Sequence, residues 1–264
     1  MLLGIIVWLF TVVIVAVFVG QYWWFPPPIS EHGRLYDEQF MITLTGTGVI
    51  FFAAQLALGW VIIRYRDRGG RASHVEGNNK LELVWTTAAA VLFIGVVLSS
   101  TGIWAGVHLR KPPADAMTVE VMSKQFAWSF RYAGADGKFG RLDIKQINDA
   151  AGNPFGIDEK DPAGKDDIVS STVRVAAGRP VLLLLRSRDV IHSFFVRELR
   201  LKQDLVPGME IPLSFQADKP GKYEVSCSEL CGLGHHQMRS ELEVLAPDAF
   251  AEWLKQESAK LQQQ

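Results

Sequence analysis

The sequence predicts membrane-spanning helices at the N-terminus, then an all-β domain of the sandwich or Greek-key type and a C-terminal helix. Three observations support this prediction. The chain has 264 residues and is 48% hydrophobic, and its apolar residues crowd into three almost uncharged runs before about residue 107. Short alternating segments rich in β-forming residues follow from Met117. Good helix formers follow Pro247 and Asp248 near the end of the chain.

The three apolar runs cover residues 1–25, 41–63 and 81–107, and each approaches or exceeds the roughly 20 residues that cross a bilayer as a helix. The loop after the second run carries five basic residues, which places that loop in the cytoplasm and the following domain outside: Arg64, Arg66, Arg68, Arg71 and Lys80. The first run fits a cleaved signal peptide or a retained helix. We favour a retained helix that ends in the interfacial aromatic stretch QYWWF. A signal peptide would need Lys or Arg before the apolar run and a small residue at the position before the cleavage site that Phe18 occupies.

The predicted outer domain covers residues 117–246, and its strands are read from alternating segments between turn signals. The strand-rich segments are MTVEVMSKQFAWSFRY, STVRVAAGRPVLLLLRSRDV, EIPLSFQADKPGKYEVSCS and MRSELEVL. An insertion at 133–170 interrupts them, with eight acidic and five basic residues. It is either a solvated decoration or an acidic surface that steers a basic partner. Residues 247–264 are predicted to form the terminal helix. The formal net charge of −1 and the lack of a basic, aromatic-rich patch indicate no nucleic-acid partner.

The stretch CSELCGLGHHQM, Cys227 to Met238, holds both cysteines of the chain. A disulfide would need strict geometry in a tight loop and leaves the neighbouring His and Met unexplained. Met is a poor ligand for zinc. Thiolate, imidazole and thioether together favour copper, and His192, after an apolar strand, is a candidate for a distant second imidazole. Two cysteines could bridge two copper ions, where a mononuclear site needs only one.

The segments DVIHSFFVRELRLKQDLVPG and GKYEVSCSELCGLGHHQM closely resemble subunit II of cytochrome c oxidase, the haem-copper terminal oxidase of respiration. The resemblance covers the helices after residue 40 and nearly all of the outer domain, and it implies a cupredoxin-like Greek-key fold. It implies a binuclear copper centre in which Cys227 and Cys231 bridge, and His192 and His235 are terminal ligands. Met238 and the backbone carbonyl of Glu229 would be the axial ligands. The Glu229 side chain would reach a magnesium ion shared with subunit I.

Two further segments resemble the same family. KLELVWTT is similar to the start of a family membrane helix, where Glu82 would lie at the cytoplasmic mouth of a proton pathway into subunit I. A solvated glutamate at a helix start is the alternative. KQFAWSFRY is similar to the aromatic strand that receives the electron. Phe126 stands here where the family usually has Trp, so the candidates for electron input are Phe126 and Trp128.

The resemblance implies an electron-accepting subunit of a haem-copper oxidase in a bacterial inner membrane, with the copper domain on the periplasmic side. Its partners would be subunits I and III and a c-type cytochrome or similar donor. Haem, oxygen reduction to water and proton pumping would lie in subunit I. This chain contains no C-x-x-C-H haem motif, so a separate donor is expected. The alternatives are a quinol oxidase subunit II, a membrane-anchored copper chaperone and a nitrous oxide reductase domain.

Overall fold

A computed structural model of the chain describes residues 1–20, 25–71, 74, 76–109 and 111–261. The chain divides into two compact units. One unit comprises residues 1–26 and 35–103 and is helical. The other comprises residues 27–34 and 104–264 and contains every strand in the described part of the chain.

Among the described residues, three helices are long and apolar enough to cross a membrane. They are α1 (Leu2–Val19), α2 (Glu31–Arg64) and α3 (Asn79–His108). Residues 21–24 of the predicted aromatic stretch QYWWF lie outside the described residues. Helix α2 begins ten residues before the predicted run, because the Ser30 hydroxyl accepts a hydrogen bond from the Gly33 N–H at 3.1 Å and caps a polar first turn.

Helices α1 and α2 contact each other through small residues and one indole. The Trp8 Nε1–H donates to the Leu56 carbonyl at 3.1 Å. A Cβ atom on Gly59 would lie only 2.2 Å from Trp8 Nε1, and one on Gly4 would lie 2.6 Å from the Ile63 side chain. Small residues that let backbones approach closely are typical of contacts between membrane helices.

The β domain is a sandwich of two five-stranded sheets. One has the order β3-β2-β1-β5-β8 and the other β4-β10-β9-β6-β7. Trp128 of the first sheet meets Phe194 of the second edge-to-face at 5.9 Å, which shows that the two inner faces are in contact. The strands are β1 (Met117–Lys124), β2 (Ala127–Tyr132), β3 (Ile168–Ser170), β4 (Val173–Ala176), β5 (Pro180–Ser187), β6 (His192–Val196), β7 (Leu201–Leu205), β8 (Ile211–Gln216), β9 (Gly221–Cys227) and β10 (Arg239–Leu245).

The all-β prediction with flanking helices is confirmed, and each predicted strand segment contains strands. Strand β5 shows the expected alternation, with Val181, Leu183 and Leu185 fully buried. Strands β3, β6 and β7 were not predicted. Strand β6 is short, and the exposed or half-buried middle of β7 is polar. Strand β6 pairs with β7, the next strand in the chain, and with the more distant β9, whereas β7 is an edge strand that pairs with β6.

Part of the insertion packs over Arg131 of the first sheet. Arg131 of β2 is 1% exposed and forms ion pairs with Glu120 at 3.0 Å and Asp167 at 3.6 Å. The rings of Phe139 and Phe155 lie 4.9 and 5.8 Å from its guanidinium carbon. Burial raises the pKa of Asp167 to about 6, although a Gly140 N–H and the Arg131 charge work against it. A charged strand residue is therefore enclosed by the insertion.

Helix α4 (Pro247–Leu261) follows the last strand, as the sequence predicts. Its Phe250 is buried, and Trp253 meets Tyr132 of β2 edge-to-face at 5.1 Å. The Arg174 guanidinium lies 5.2 Å from the centre of the Trp253 ring. The helix is thereby held against the sandwich by aromatic contacts.

Candidate metal centre

The sulfur-rich stretch folds into a compact loop between two strands of the second sheet. Strand β9 ends at Cys227, and β10 begins at Arg239, directly after Met238. A hydrogen bond from the Cys227 N–H to the Met238 carbonyl at 3.2 Å closes the loop. A single turn of 3₁₀ helix at His235–Gln237 then brings an imidazole back over the cysteines.

The predicted copper residues converge on one another. The two Sγ atoms lie 3.9 Å apart, and both cysteines are free. His192 Nδ1 lies 3.9 Å from Cys227 Sγ, and His235 Nδ1 lies 3.6 Å from Cys231 Sγ. Each sulfur therefore has one imidazole nitrogen within 4 Å.

The two predicted weak metal ligands, Met238 and the Glu229 carbonyl, also lie next to different cysteine sulfurs. Met238 Sδ lies 3.8 Å from Cys231 Sγ, and the Glu229 carbonyl oxygen lies 3.2 Å from Cys227 Sγ. Met238 is fully buried, whereas His236 is exposed and takes no part in this group of contacts. Of the adjacent histidines, the structure thus brings His235 to the sulfurs.

The ring of His192 is held in a defined orientation. The residue is fully buried and begins β6. Its Nε2 lies 2.8 Å from an oxygen of Asp189, which leaves Nδ1 facing the sulfurs. Burial opposes ionisation of Asp189, but hydrogen bonds from the Gln125 N–H and from His192 hold its pKa below the usual value. A carboxylate on the far nitrogen is the usual partner of a metal-binding imidazole.

The donor set fits a thiophilic metal. Thiolate, imidazole and thioether are ligands of copper, and an Sγ separation of 3.9 Å is far from the roughly 2.05 Å of a disulfide. Burial and the neighbouring Cys227 raise the pKa of Cys231 to about 11. A metal must therefore displace a proton from this thiol when it binds.

The two aromatic candidates for electron input have different surroundings. Phe126 is 38% exposed and lies at the turn between β1 and β2. It covers the ligand loop so closely that a Cβ atom on Gly234 would lie 2.4 Å from its ring. Trp128 is 3% exposed, and its ring centre lies 6.3 Å from that of His192. Only Phe126 of this pair reaches the surface.

Glu82 lies apart from these residues, in the first turn of α3 in the helical unit. The Asn78 side chain caps this helix by accepting hydrogen bonds from the N–H groups of Lys80 and Leu81, each at 3.1 Å. A carboxylate in the first turn is favourable for the helix dipole whatever else it does. The proposed proton-path role of Glu82 stays a prediction.

Two residues around the site were not singled out from the sequence. Asp189 stands three positions before His192, a spacing that could have suggested an orienting carboxylate. Gln125 donates from its side chain to the Cys231 carbonyl and from its backbone to Asp189 at 2.7 Å. Nothing in the local sequence distinguishes this glutamine, because its partners are more than 60 residues away.

Comparison with known proteins shows what the chain is similar to. Residues 117–245 match the family described as cytochrome c oxidase subunit II, periplasmic domain. The alternative cytochrome c oxidase subunit 2 of Bradyrhizobium diazoefficiens is 36% identical over 89% of this chain and 84% of its own length. The cytochrome c oxidase subunit 2 of Thermostichus vulcanus is 33% identical, covering 89% and 78%. The solved periplasmic domain of subunit II from Bradyrhizobium japonicum is 25% identical with a TM-score of 0.42, covering 57% of this chain and 99% of that one.

Proposed function

Because the chain belongs to the cytochrome c oxidase subunit II family, we propose that it is the electron-accepting subunit of a haem-copper oxidase. It receives electrons from a c-type cytochrome or similar donor and passes them to haem in subunit I. Oxygen is reduced to water there, with proton pumping. The observation that carries this proposal is the convergence of two free cysteines, two imidazoles and a thioether in one cluster, of which all but the His235 imidazole are buried.

The cluster would hold two copper ions. Cys227 and Cys231 would supply the thiolates, and His192 and His235 the imidazoles. Met238 and the Glu229 carbonyl would be the weaker ligands. When bound, the copper pair accepts and releases one electron. The chain's own contribution is a ligand set already held in place by backbone hydrogen bonds and by Asp189.

Phe126 would be the point of electron input. Its ring is exposed on one side and lies against Gly234, the residue before His235. Exposed apolar side chains flank the ligands on both segments of the site: Val190, Ile191, Leu230 and Leu233. Apolar surface of this kind marks a protein-protein contact. It supports docking of subunit I and the donor around the cluster.

The helical unit would anchor the subunit in a bacterial inner membrane with the copper domain on the periplasmic side. Arg66, Arg68 and Arg71 between α2 and α3, with Arg64 and Lys80 at the adjoining helix ends, support a cytoplasmic loop there. The close contact of Trp8 with Gly59 supports a retained α1, since a cleaved segment needs no fitted partner. Glu82 would open a proton path into subunit I, and the Glu229 side chain would bind the shared magnesium. Subunit III would complete the complex.

The metal assignment can be tested by electron paramagnetic resonance of the copper-loaded protein. We expect hyperfine structure from two equivalent copper nuclei in the wild type and its loss in Cys227→Ser. The adjacent histidines provide a matched pair of variants. His235→Asn should alter the spectrum, whereas His236→Asn should not, because only His235 faces Cys231. A mononuclear spectrum in the wild type, or equal effects of the two histidine variants, would contradict the proposal.

A further inference from the structure

The ligand loop, residues 227–238, has few hydrogen bonds to other parts of the domain. Its other backbone bonds close turns inside the loop. In the described part of the chain, two hydrogen bonds join the interior of the loop to a different segment. The Ser228 N–H donates to the Ser193 carbonyl at 3.0 Å. The Cys231 carbonyl accepts a hydrogen bond from the side-chain amide of Gln125. Gln125 is therefore the residue that ties Cys231 to the rest of the domain.

Gln125 also holds the segment that carries the distant imidazole. Its backbone N–H donates to one oxygen of the Asp189 carboxylate at 2.7 Å. The other oxygen of that carboxylate lies 2.8 Å from His192 Nε2. Gln125 itself lies in the turn between β1 and β2, a segment that contains none of the predicted copper ligands. One residue outside the ligand segments thus has hydrogen bonds that lead to both of them.

The backbone of the ligand loop is shaped to receive the Gln125 side chain. Gly232 directly follows Cys231 and has a φ of 135°, a conformation that favours glycine. A Cβ atom on Gly232 would lie only 2.7 Å from Gln125 Nε2 and 3.1 Å from the Phe126 ring. A side chain at this position would therefore push the amide away from the Cys231 carbonyl. Glycine permits the close contact between the turn and the loop.

We propose that Gln125 is a positioning residue of the metal centre, which fixes Cys231 relative to His192 through its amide and its backbone N–H. The inference rests on the proposed function. Cys231 is 3% exposed, so water has little access to replace a lost donor at its carbonyl. An unpaired carbonyl there disfavours the observed course of the loop, and the Cys231 thiolate then leaves its place beside Cys227. Hydrogen bonds that orient metal ligands contribute to metal affinity in this way.

The test compares the full-length wild type with Gln125→Met, which keeps the length of the side chain and removes the donor. Copper affinity, measured by competition with a chelator, should fall about ten- to a hundredfold. The paramagnetic resonance spectrum of the copper-loaded protein should change as well, because one thiolate moves relative to the other. Gln216→Met is the matched control, since Gln216 is an exposed glutamine of β8 whose amide donates to Asp218 at 2.9 Å. It should leave copper affinity and spectrum unchanged.

A second variant tests the reach of the amide. Gln125→Asn keeps the amide group but is one methylene shorter, so it should lose the bond to the Cys231 carbonyl and resemble Gln125→Met. It also carries the test if the methionine variant does not fold. A wild-type spectrum and wild-type copper affinity in Gln125→Asn would overturn the inference, even if the variant unfolds more easily. Equal effects of Gln125→Met and Gln216→Met would overturn it too.

Hydrogen exchange of the metal-free protein separates this inference from the proposed function. The His235 N–H is bonded to the Gly232 carbonyl at 3.1 Å inside the loop. It should exchange about tenfold faster in Gln125→Met, because the loop opens more easily without its tie to the turn. Faster exchange in the variant, together with no two-copper signal in the wild type, would overturn the proposed function alone. A two-copper signal in the wild type with equal exchange in both proteins would overturn the inference alone.

Discussion

Substitution of Gly234 by alanine would disturb the proposed electron input without removing a metal ligand. The added Cβ would lie 2.4 Å from Cδ2 and 2.7 Å from Cγ of the Phe126 ring. Non-bonded carbon atoms normally stay about 3.5–4.0 Å apart, so the ring must move by about 1 Å or leave the loop. The backbone of Gly234 has a negative φ of −90°, so alanine adds no left-handed strain there.

The expected slowing of electron transfer in Gly234→Ala follows from the steric cost of adding a methyl group to a tightly packed contact. Such overpacking typically costs about 1–3 kcal/mol. If this cost falls on the Phe126 ring, the population of its wild-type position falls about 5- to 140-fold, because 1.4 kcal/mol corresponds to a factor of ten. Reduction by the donor should slow by at least about fivefold. The copper spectrum should remain that of the wild type, because His235 and both sulfurs are unchanged.

The assay is stopped-flow reduction by cytochrome c, with Phe126→Ala as the second arm of a double-mutant cycle. Removing the ring removes the clash, so Gly234→Ala should add little in the Phe126→Ala background. The paramagnetic resonance spectrum of each variant serves as a control for the ligands. Wild-type rates in Gly234→Ala, or equal slowing with and without the ring, would refute the reasoning.

Three further predictions concern the membrane helices, the insertion and the copper ligands. Gly59→Leu should separate α1 from α2, because even a Cβ there would lie 2.2 Å from Trp8 Nε1; cysteine cross-linking between the helices should fall, and undiminished cross-linking would count against this contact. Asp167, with its pKa raised to about 6, keeps a proton in the folded state that the unfolded chain releases near pH 4. The free energy of unfolding should therefore fall by up to about 3 kcal/mol as pH rises through that window, and Asp167→Asn should abolish this difference in chemical denaturation. Because burial raises the pKa of Cys231 to about 11, copper affinity measured by competition should rise about tenfold per pH unit for each proton displaced, and a flat profile from pH 6 to 8 would contradict it.

Much of the candidate site was readable from the sequence because its donors are close together in the chain. Cys227, Cys231, His235 and Met238 lie within twelve residues, and their types already exclude most metals. The spacing also separates His235 from His236, and the structure brings the same histidine to the sulfurs. His192 required a guess about a distant strand end. The fold brings His192 to the sulfurs because β6 pairs with β9, where Phe194 lies opposite Cys227.

The insertion was the least predictable part of the domain. Its many Gly, Asp and Asn residues indicated turns, and those turns are present. Its burial of Arg131 beneath two phenylalanines was not predictable, because alternation alone marks Arg131 as an outward-facing strand residue. The pairing of Asp149 with Lys124 and Arg188 joins residues 25 and 39 positions apart. Local propensity carries no information about such contacts.

The sequence by itself predicted the apolar spans, the all-β character of the outer domain and a candidate set of copper ligands, because periodicity, turn residues and ligand chemistry are local properties. Only the tertiary structure decided how the site is surrounded. It places Asp189 on His192, Phe126 on Gly234 and Asp149 between two cations. These contacts arise where strand ends from distant parts of the chain meet. Their geometry depends on sheet order and on an insertion whose course no short segment specifies.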